Sequence, residues 1–379
     1  MDARPRVLIH GTGFAGRGHA AAFRWAGADV VGIVGRTASV TDEVAADLGI
    51  PYAGTDWQRA LEDCRPDIVS IATPGGAHRE PIGEAIAFGA HVFCDKPLTD
   101  DAASAAQVQE FAQERGVKTA FAASFRYTPS VRHAQELVAA GAIGEPTEVE
   151  CLSHFNLERG IPFGWSHRKE DGGGRLNNNF THTLAIVEAV IGDRVSQVAG
   201  DVRDDLGRAP IVSGVHNFAT RRSFIPEDLT DPTLEWGESN VEWSYTVMAR
   251  ITRTSGAAPV SALFKHGGLV PRFREDHIVF YGTTGAVYLE GHYGSGTLHR
   301  WGPDKQWHAL PLPAHLARTT PEVEGETEQC WHYLAREFVA DIRGEKVEPY
   351  PTFREGARYQ QIIEIIRASE NWTDVSALP

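Results

Sequence analysis

The sequence predicts an α/β protein of two domains, an N-terminal doubly wound parallel sheet followed by a C-terminal α/β domain on a large, mainly antiparallel open sheet. Three observations lead there. Short β-branched runs alternate with amphipathic stretches to about residue 125, a glycine-rich turn follows the first run at once, and longer strand-like runs separated by turn residues fill the second half. Alternating strand and helix patterns mark βαβ units, whereas successive strands joined by turns mark antiparallel sheets.

In the first part, the runs at 7–9 (VLI), 30–34 (VVGIV), 67–72 (DIVSIA), 91–94 (HVFC) and 118–123 (KTAFAA) are apolar on both faces, as buried parallel strands must be. Between them, 16–26, 40–48, 56–63, 78–89 and 101–115 carry apolar residues at helical spacing, several closing near a glycine. The alternation stops in SFRYTPSVRHAQELVAAGAIGEP, which places the expected division at 1–127 and 128–379. Beyond it TEVECLSHFN, VEWSYTVMARITR, PVSALFKHG and HIVFYGTTGAVYLEG read as strands. Residues 328–342 and 354–370 read as helices, and 201–235, rich in Asp, Arg and Pro, as a long irregular insertion.

Composition narrows the function classes. A chain of 379 residues suits two domains. Its 36 Lys and Arg against 50 Asp and Glu give a net charge of -14, which repels a phosphate backbone, so no nucleic-acid partner is expected. The opening MDARPRVLIHGTG has only three consecutive apolar residues before its glycine turn, too few for a signal peptide or a membrane span, and no membrane association is expected. Four scattered cysteines without CxxC spacing fit reduced thiols in a cytoplasm. The 16 histidines show no HExxH spacing, so no metal is expected.

The first motif with chemistry is His10-Gly11-Thr12-Gly13-Phe14-Ala15-Gly16, a GxGxxG between the first strand and the first helix. Gly11 permits the tight turn, Gly13 admits a pyrophosphate to the backbone, and Gly16 lets helix and strand pack closely, while the helix N-terminus supplies N–H donors. The second strand ends VVGIVGRT, so Gly35 stands where an acidic residue would hold the ribose hydroxyls of NAD. Arg36, with Thr37 beside it, can instead meet a 2′-phosphate, so NADP is the preferred cofactor and NAD the alternative.

Two further loops, IATPGGAHRE at 71–80 and CDKP at 94–97, each follow a predicted strand. Together with GTGFAG, with GAIGEP, with the glycines at 172–174 and with the closing YPTFREGARYQQIIEIIRAS, they resemble the Gfo/Idh/MocA oxidoreductases over nearly the whole chain. The resemblance implies a Rossmann domain, an active site in the cleft beside it, and an open sheet that makes a homodimer or homotetramer. It also implies that Thr73, Pro74 and His78 line the nicotinamide side with Asp95 and Lys96, and that Lys96 meets the substrate hydroxyl.

The family's GG-x-L-x-D-x-G-x-H motif appears as GGRLNNNFTH, with Asn178 in place of the aspartate, Phe180 in place of a glycine, and His182 retained. Residues four apart share one helical face, so Asn178 and His182 are expected side by side. An amide cannot accept a proton at neutral pH. His182, with an ordinary pKa near ~6.5, therefore becomes the expected general acid/base, and Lys96 its electrostatic partner or the alternative base. Trp165 and Arg168 resemble a Trp-Arg element near the cofactor or substrate, and Arg126 is a further candidate for the substrate cleft. Lys265, His266, Arg272 and Arg274 read mainly as solvated surface cations.

The expected activity is NAD(P)-dependent interconversion of a secondary alcohol and a ketone on a sugar or related polyol, with hydride passing to or from nicotinamide C4. Two other readings stay open: a cofactor-retaining enzyme that cleaves or eliminates a glycoside through transient oxidation, and a non-catalytic NAD(P)-dependent sensor or regulator.

Overall fold

In the computed structural model the described residues are 4–215, 220–319, 323 and 325–375, with the side chains at 272–274 and 318–319 excepted. Arg272 and Arg274 therefore lie outside the described side chains. Strands β1 (Arg6–His10), β2 (Asp29–Val34), β3 (Tyr52–Gly54), β4 (Ile68–Ile71), β5 (His91–Cys94) and β6 (Thr119–Phe121) form a parallel sheet in the order β3-β2-β1-β4-β5-β6. Helices α1 (Phe14–Trp25), α2 (Ala38–Leu48), α3 (Trp57–Cys64), α4 (Arg79–Phe88) and α5 (Ala102–Arg115) make the crossovers. The strand order reverses between β1 and β4, which opens a crevice at their carboxyl ends. Five of these strands match apolar runs. β3 does not, because it is three half-buried residues long and too short to show a period.

Helix α6 (Pro129–Ala139) leads to β7 (Pro146–Asn156), α7 (Thr181–Ile191) and β8 (Arg194–Arg203). A short ladder of β9 (Arg208–Pro210) and β10 (Trp236–Glu238) follows, then β11 (Ser244–Thr252), β12 (Val260–Gly267), β13 (Leu269–Gly282), β14 (Ala286–Leu289), β15 (Leu298–Trp301) and β16 (Trp307–Leu310). With β17 (Thr373–Asp374) they build a nine-stranded sheet in the order β16-β15-β14-β13-β7-β12-β11-β8-β17. Its pairs are antiparallel except β7 with β12. The stretch expected to be irregular, 201–235, thus contains β9 and pairs with β10. Leu206, Ala209, Val241 and Trp243 form a small core of their own beneath it.

After α8 (Ala314–Thr319), helices α9 (Glu326–Ile342) and α10 (Phe353–Ala368) return to the first sheet. Trp331 of α9 lies on α1 where Gly18 leaves room: a Cβ there would stand 2.2 Å from the indole. From α10, Glu364 accepts from Ala102 N at 2.8 Å and Gln360 donates to Asp100 O at 3.1 Å. The expected boundary at 127/128 coincides with the end of a Ser124–Tyr127 turn, yet the span 326–368 packs on both units, and one continuous apolar core joins them.

Candidate active site

The glycine turn leaves β1 at His10 and enters α1 with Gly13 as its cap, without any side-chain cap on the first N–H groups. Gly11 has φ 122°, and a Cβ there would lie 2.5 Å from Ala72 O, so the turn crosses β4 at backbone contact. A Cβ on Gly16 would lie 1.9 Å from Gly11 O, whereas one on Gly13 would meet nothing within 4 Å. That open space beside uncapped donors fits a pyrophosphate. Next to it a groove of about 960 Å³, lined by His10, Thr55, Asp56, Trp57 and Gly76 among others, runs along the strand ends. Thr73 Oγ1, in the loop after β4, is buried without a partner among the described residues. A dinucleotide fits these features, with Gly11, Thr12, Gly13, Ala15, Gly16, Thr73 and Pro74 as the residues that could hold it.

Some expected cofactor contacts turn out to be braces. Phe14 packs on Trp331 with ring centroids 5.3 Å apart. His78 is fully buried: Nε2 faces Thr73 O at 2.7 Å and Nδ1 faces Pro97 O at 3.0 Å. It staples the Thr73 loop to the Lys96 loop and cannot line the nicotinamide, because burial removes it from any ligand surface. Asp95 Oδ1 accepts from the Lys96 backbone N at 2.7 Å and so stiffens that loop. At the end of β2, a Cβ on Gly35 would stand 2.4 Å from Thr41 Oγ1 and 2.6 Å from the Thr12 side chain. No acidic side chain fits at 35, and exposed Arg36, followed by Thr37 at the α2 cap, is the charged group beside that strand end.

The second half of the site enters through glycines that let two loops touch. A Cβ on Gly76 would lie 2.0 Å from Glu170 O, and one on Gly173 would sit 2.7 Å from the carbonyls of Trp165, Ser166 and Arg168. After them Leu176–Phe180 winds a π-helical turn before α7 begins. Three consecutive asparagines form regular helix poorly, and the turn separates their fates. Asn177 donates to Gly173 O at 3.1 Å. Asn179 is buried between the hydroxyls of Tyr245 (2.5 Å) and Tyr293 (3.2 Å). Asn178 faces the cleft, and its Oδ1 accepts from Lys96 Nζ at 2.9 Å, joining loops 82 positions apart. Asn178 and His182 thus lie on a π-turn and the following α-turn rather than on one regular helical face. Such turns recur at functional sites.

Burial pushes the Lys96 ammonium down to about 8; Asp95 opposes the fall and Arg175 adds to it. His182 departs further from expectation. It is 5% exposed, its ring edge-on to Phe125 at 4.7 Å and tilted against Tyr293 at 4.8 Å. Its Nδ1 has no partner among the described residues. Burial, then Lys96, His292 and Arg175, hold its pKa well below the ordinary 6.5. The ring is therefore neutral near pH 7, because an imidazolium would be desolvated among cations.

Other sequence candidates sit elsewhere. Arg168 is exposed and pairs with Asp171, three residues on, and the described contacts do not bring it to Lys96, Asn178 or His182. Trp165 is half-buried and contributes its carbonyl to the cradle around Gly173. Arg126 lies over the Tyr127 ring at 5.9 Å, and the described contacts do not bring it to Lys96, Asn178 or His182. Lys265 is exposed, but His266 is fully buried, not solvated: its Nδ1 meets Ser153 Oγ at 2.8 Å and its Nε2 accepts from Arg175 Nε at 2.9 Å. Arg175 and Tyr293 escaped the sequence reading. Arg175 lies inside GGRLNNNFTH, so its position was in view, while only an aromatic between Gly291 and Gly294 marks Tyr293. Its φ is 49°, an uncommon value for a side-chain-bearing residue, and its N–H donates to Asp276 at 3.0 Å. Among the described residues no group of three or more His, Cys, Asp or Glu is arranged to hold a metal, and no helix is long and apolar enough to cross a membrane.

Comparison with known proteins agrees with this architecture. Residues 5–123 match a family model described as an oxidoreductase family with an NAD-binding Rossmann fold, and residues 131–288 match the GFO/IDH/MocA C-terminal domain. Among curated relatives, levoglucosan dehydrogenase of Pseudarthrobacter phenanthrenivorans is 26% identical over 49% of this chain and 51% of its own. D-xylose 1-dehydrogenase (NADP(+)) 2 of Haloferax volcanii is 31% identical over 46% and 54%. The chain spans about half the length of these relatives. A solved levoglucosan dehydrogenase in complex with NADH and L-sorbose superposes with TM-score 0.81, covering 99% of this chain and all of that one at 20% identity, which shows a shared fold. The two family matches take in more than half of the chain in the order that the glycine turn and the GGRLNNNFTH loop occupy, and the chain belongs to the Gfo/Idh/MocA family of oxidoreductases.

Proposed function

We propose that this chain interconverts a secondary alcohol and a ketone on a sugar or related polyol with a nicotinamide dinucleotide. The observation that carries the reading is the 2.9 Å contact of Lys96 Nζ with Asn178 Oδ1, which sets an amine of pKa about 8 in the cleft beside the dinucleotide groove. Relatives named for levoglucosan and D-xylose support the substrate class.

When bound, the nicotinamide supplies a C4 that takes up or gives a hydride. Lys96 does the proton work: its neutral Nζ takes the hydroxyl proton as the ketone forms, and its ammonium returns that proton and attracts the developing oxyanion charge in reverse. Asn178 spends its oxygen on Lys96 and keeps its N–H₂ for a substrate hydroxyl. Neutral His182 offers one hydrogen bond to the substrate and no net charge.

The test is a panel of polyols and ketoses with each dinucleotide, following the absorbance of the reduced nicotinamide. Net change with product supports the reading. Product without net change would replace it by the cofactor-retaining reaction, and binding without turnover, indifferent to Lys96→Ala, by the sensor.

Asn178→Asp offers a second check. A carboxylate 2.9 Å from Nζ favours the ammonium, so the Lys96 pKa rises from about 8 and the pH limb moves to higher pH by about one unit or more. An unmoved limb in the kcat/KM profile would separate Asn178 from the titrating group.

NADP is the preferred dinucleotide in this reading, NAD the alternative. Crowding at Gly35 and the exposed Arg36 support that order, as does a relative named for NADP(+). Arg36→Ala is expected to weaken NADP by about tenfold or more and NAD much less, the worth of one or two charged hydrogen bonds. Equal losses in fluorescence titrations would refute the preference. The four buried cysteines, none in a disulfide, support a reducing, cytoplasmic setting. The open face of the nine-stranded sheet, where Met248 is 48% exposed, supports a homodimer or homotetramer.

A further inference from the structure

Three half-buried arginines among the described residues are paired with carboxylates. Arg367 meets Glu242 at 3.0 Å, Arg358 meets Glu188 at 2.7 Å, and Arg253 meets Asp193 at 2.8 Å. Arg175 is the departure. It is 8% exposed, and among the described residues no carboxylate stands within ion-pair distance of it. What holds it is neutral. Its Nε donates to His266 Nε2 at 2.9 Å, and its guanidinium lies over the Phe155 ring at 5.3 Å. Since His266 Nε2 accepts, that ring carries its proton on Nδ1 and donates it to Ser153 Oγ at 2.8 Å. The chain Ser153–His266–Arg175 therefore orients a guanidinium without neutralising it.

The same charge reaches the catalytic centre. Arg175 helps to depress both Lys96 and His182, and burial, Arg175 and Arg222 lower Arg221 to about 9. Arg221 is held over this side of the cleft by Nη1 donating to Ser166 Oγ at 2.8 Å. Two carboxylates, half-buried Asp95 and buried Asp276, oppose these three cations. Asp95 is engaged by its own loop and Asp276 by Tyr293 N, and burial raises the pKa of both. A chain with net charge -14 has thus gathered positive charge in its cleft. A desolvated cation without an ionic partner is costly to keep unless something arrives to compensate it.

We propose that the substrate is an anionic sugar or polyol whose oxyanion, a carboxylate or a phosphate, is received by the guanidinium of Arg175 while its reacting hydroxyl meets Lys96. The proposal rests on the oxidoreductase reading above and narrows its substrate class. Arginine suits the task because its planar fork presents paired donors to an oxyanion. His266 is then a positioning residue that aims the fork.

The experiment compares aldonates, hexuronates and hexose phosphates of several configurations with their neutral aldoses and alditols, in the wild-type chain and in Arg175→Gln and Arg175→Lys. It measures kcat/KM with NADP⁺ or NADPH and, separately, the shift in melting temperature on ligand addition. The wild type is expected to favour anionic members by about tenfold or more, and Arg175→Gln to lower that ratio at least about tenfold whatever it costs both classes. Arg175→Lys, which keeps the charge and loses the fork, is expected to retain part of it and carries the comparison should Arg175→Gln not fold. Whether sugar acids or sugar phosphates hold the preference identifies the oxyanion. Neutral sugars turned over best, with a ratio indifferent to position 175, would overturn the proposal and leave the oxidoreductase reading standing. If no compound is turned over, that reading fails, and the melting shift decides alone: an anion-specific shift lost in Arg175→Gln upholds the anion site, and no such shift refutes it.

Discussion

Lys96→Ala is expected to lower kcat by about 10²- to 10⁴-fold while dinucleotide affinity changes only slightly, since the variant removes the group that moves the hydroxyl proton. The sign of the pH dependence follows from its depressed pKa of about 8. Alcohol oxidation needs the neutral amine, so its rate climbs with pH and levels off above about 8. Ketone reduction needs the ammonium, and its rate falls through the same region. Both limbs should vanish in Lys96→Ala. Cofactor binding is measured separately by fluorescence titration, so that a lost rate is not confused with a lost cofactor. A kcat within a few-fold of the wild type, with the limb intact, would move the proton chemistry to another residue. His182 is poorly placed to inherit it, because burial, with Lys96, His292 and Arg175 beside it, keeps its ring neutral.

Two glycines of one turn are expected to fail in opposite ways. A Cβ at Gly13 meets nothing within 4 Å, so Gly13→Leu should fold with an almost unchanged melting temperature. Its side chain fills the space before the uncapped N–H groups of α1, and dinucleotide affinity should drop by about 100-fold or more, on the order of two charged hydrogen bonds. A Cβ at Gly16 would lie 1.9 Å from Gly11 O, and that carbonyl cannot yield without moving α1 off β1. Gly16→Val should therefore destabilise the fold by about 3 kcal/mol or more and lower the melting temperature. Titration and thermal melts on both variants separate the two effects. A destabilised Gly13→Leu with normal affinity would remove the pyrophosphate from this turn.

Much of the fold was legible because it rests on local periods. Buried parallel strands such as Val7–Ile9 and His91–Cys94 show continuous apolar runs, and helices such as 101–115 show a helical repeat closing on a glycine. β3 was not legible at three residues, nor was β9, since ladders that short are decided by what the neighbouring strand offers. The return of α9 and α10 to the first sheet leaves no local mark either. It depends on shape, as where the Trp331 ring fills the gap at Gly18.

The site divides in the same way. The glycine turn, the Lys96 loop and the GGRLNNNFTH stretch are contiguous in the chain and carry their chemistry in residue type and spacing, so the sequence alone determined that a dinucleotide-binding αβ domain precedes a second domain bearing Asn178 and His182. Only the folded chain decided which groups keep their ordinary chemistry. Burial neutralised His182, turned His78 into a loop staple, brought Lys96 into a proton-exchanging range and set Arg175 against His266. The cause is that a titratable group responds to the solvent it loses and the charges it gains. Both are supplied by residues remote in sequence, and no local pattern encodes them.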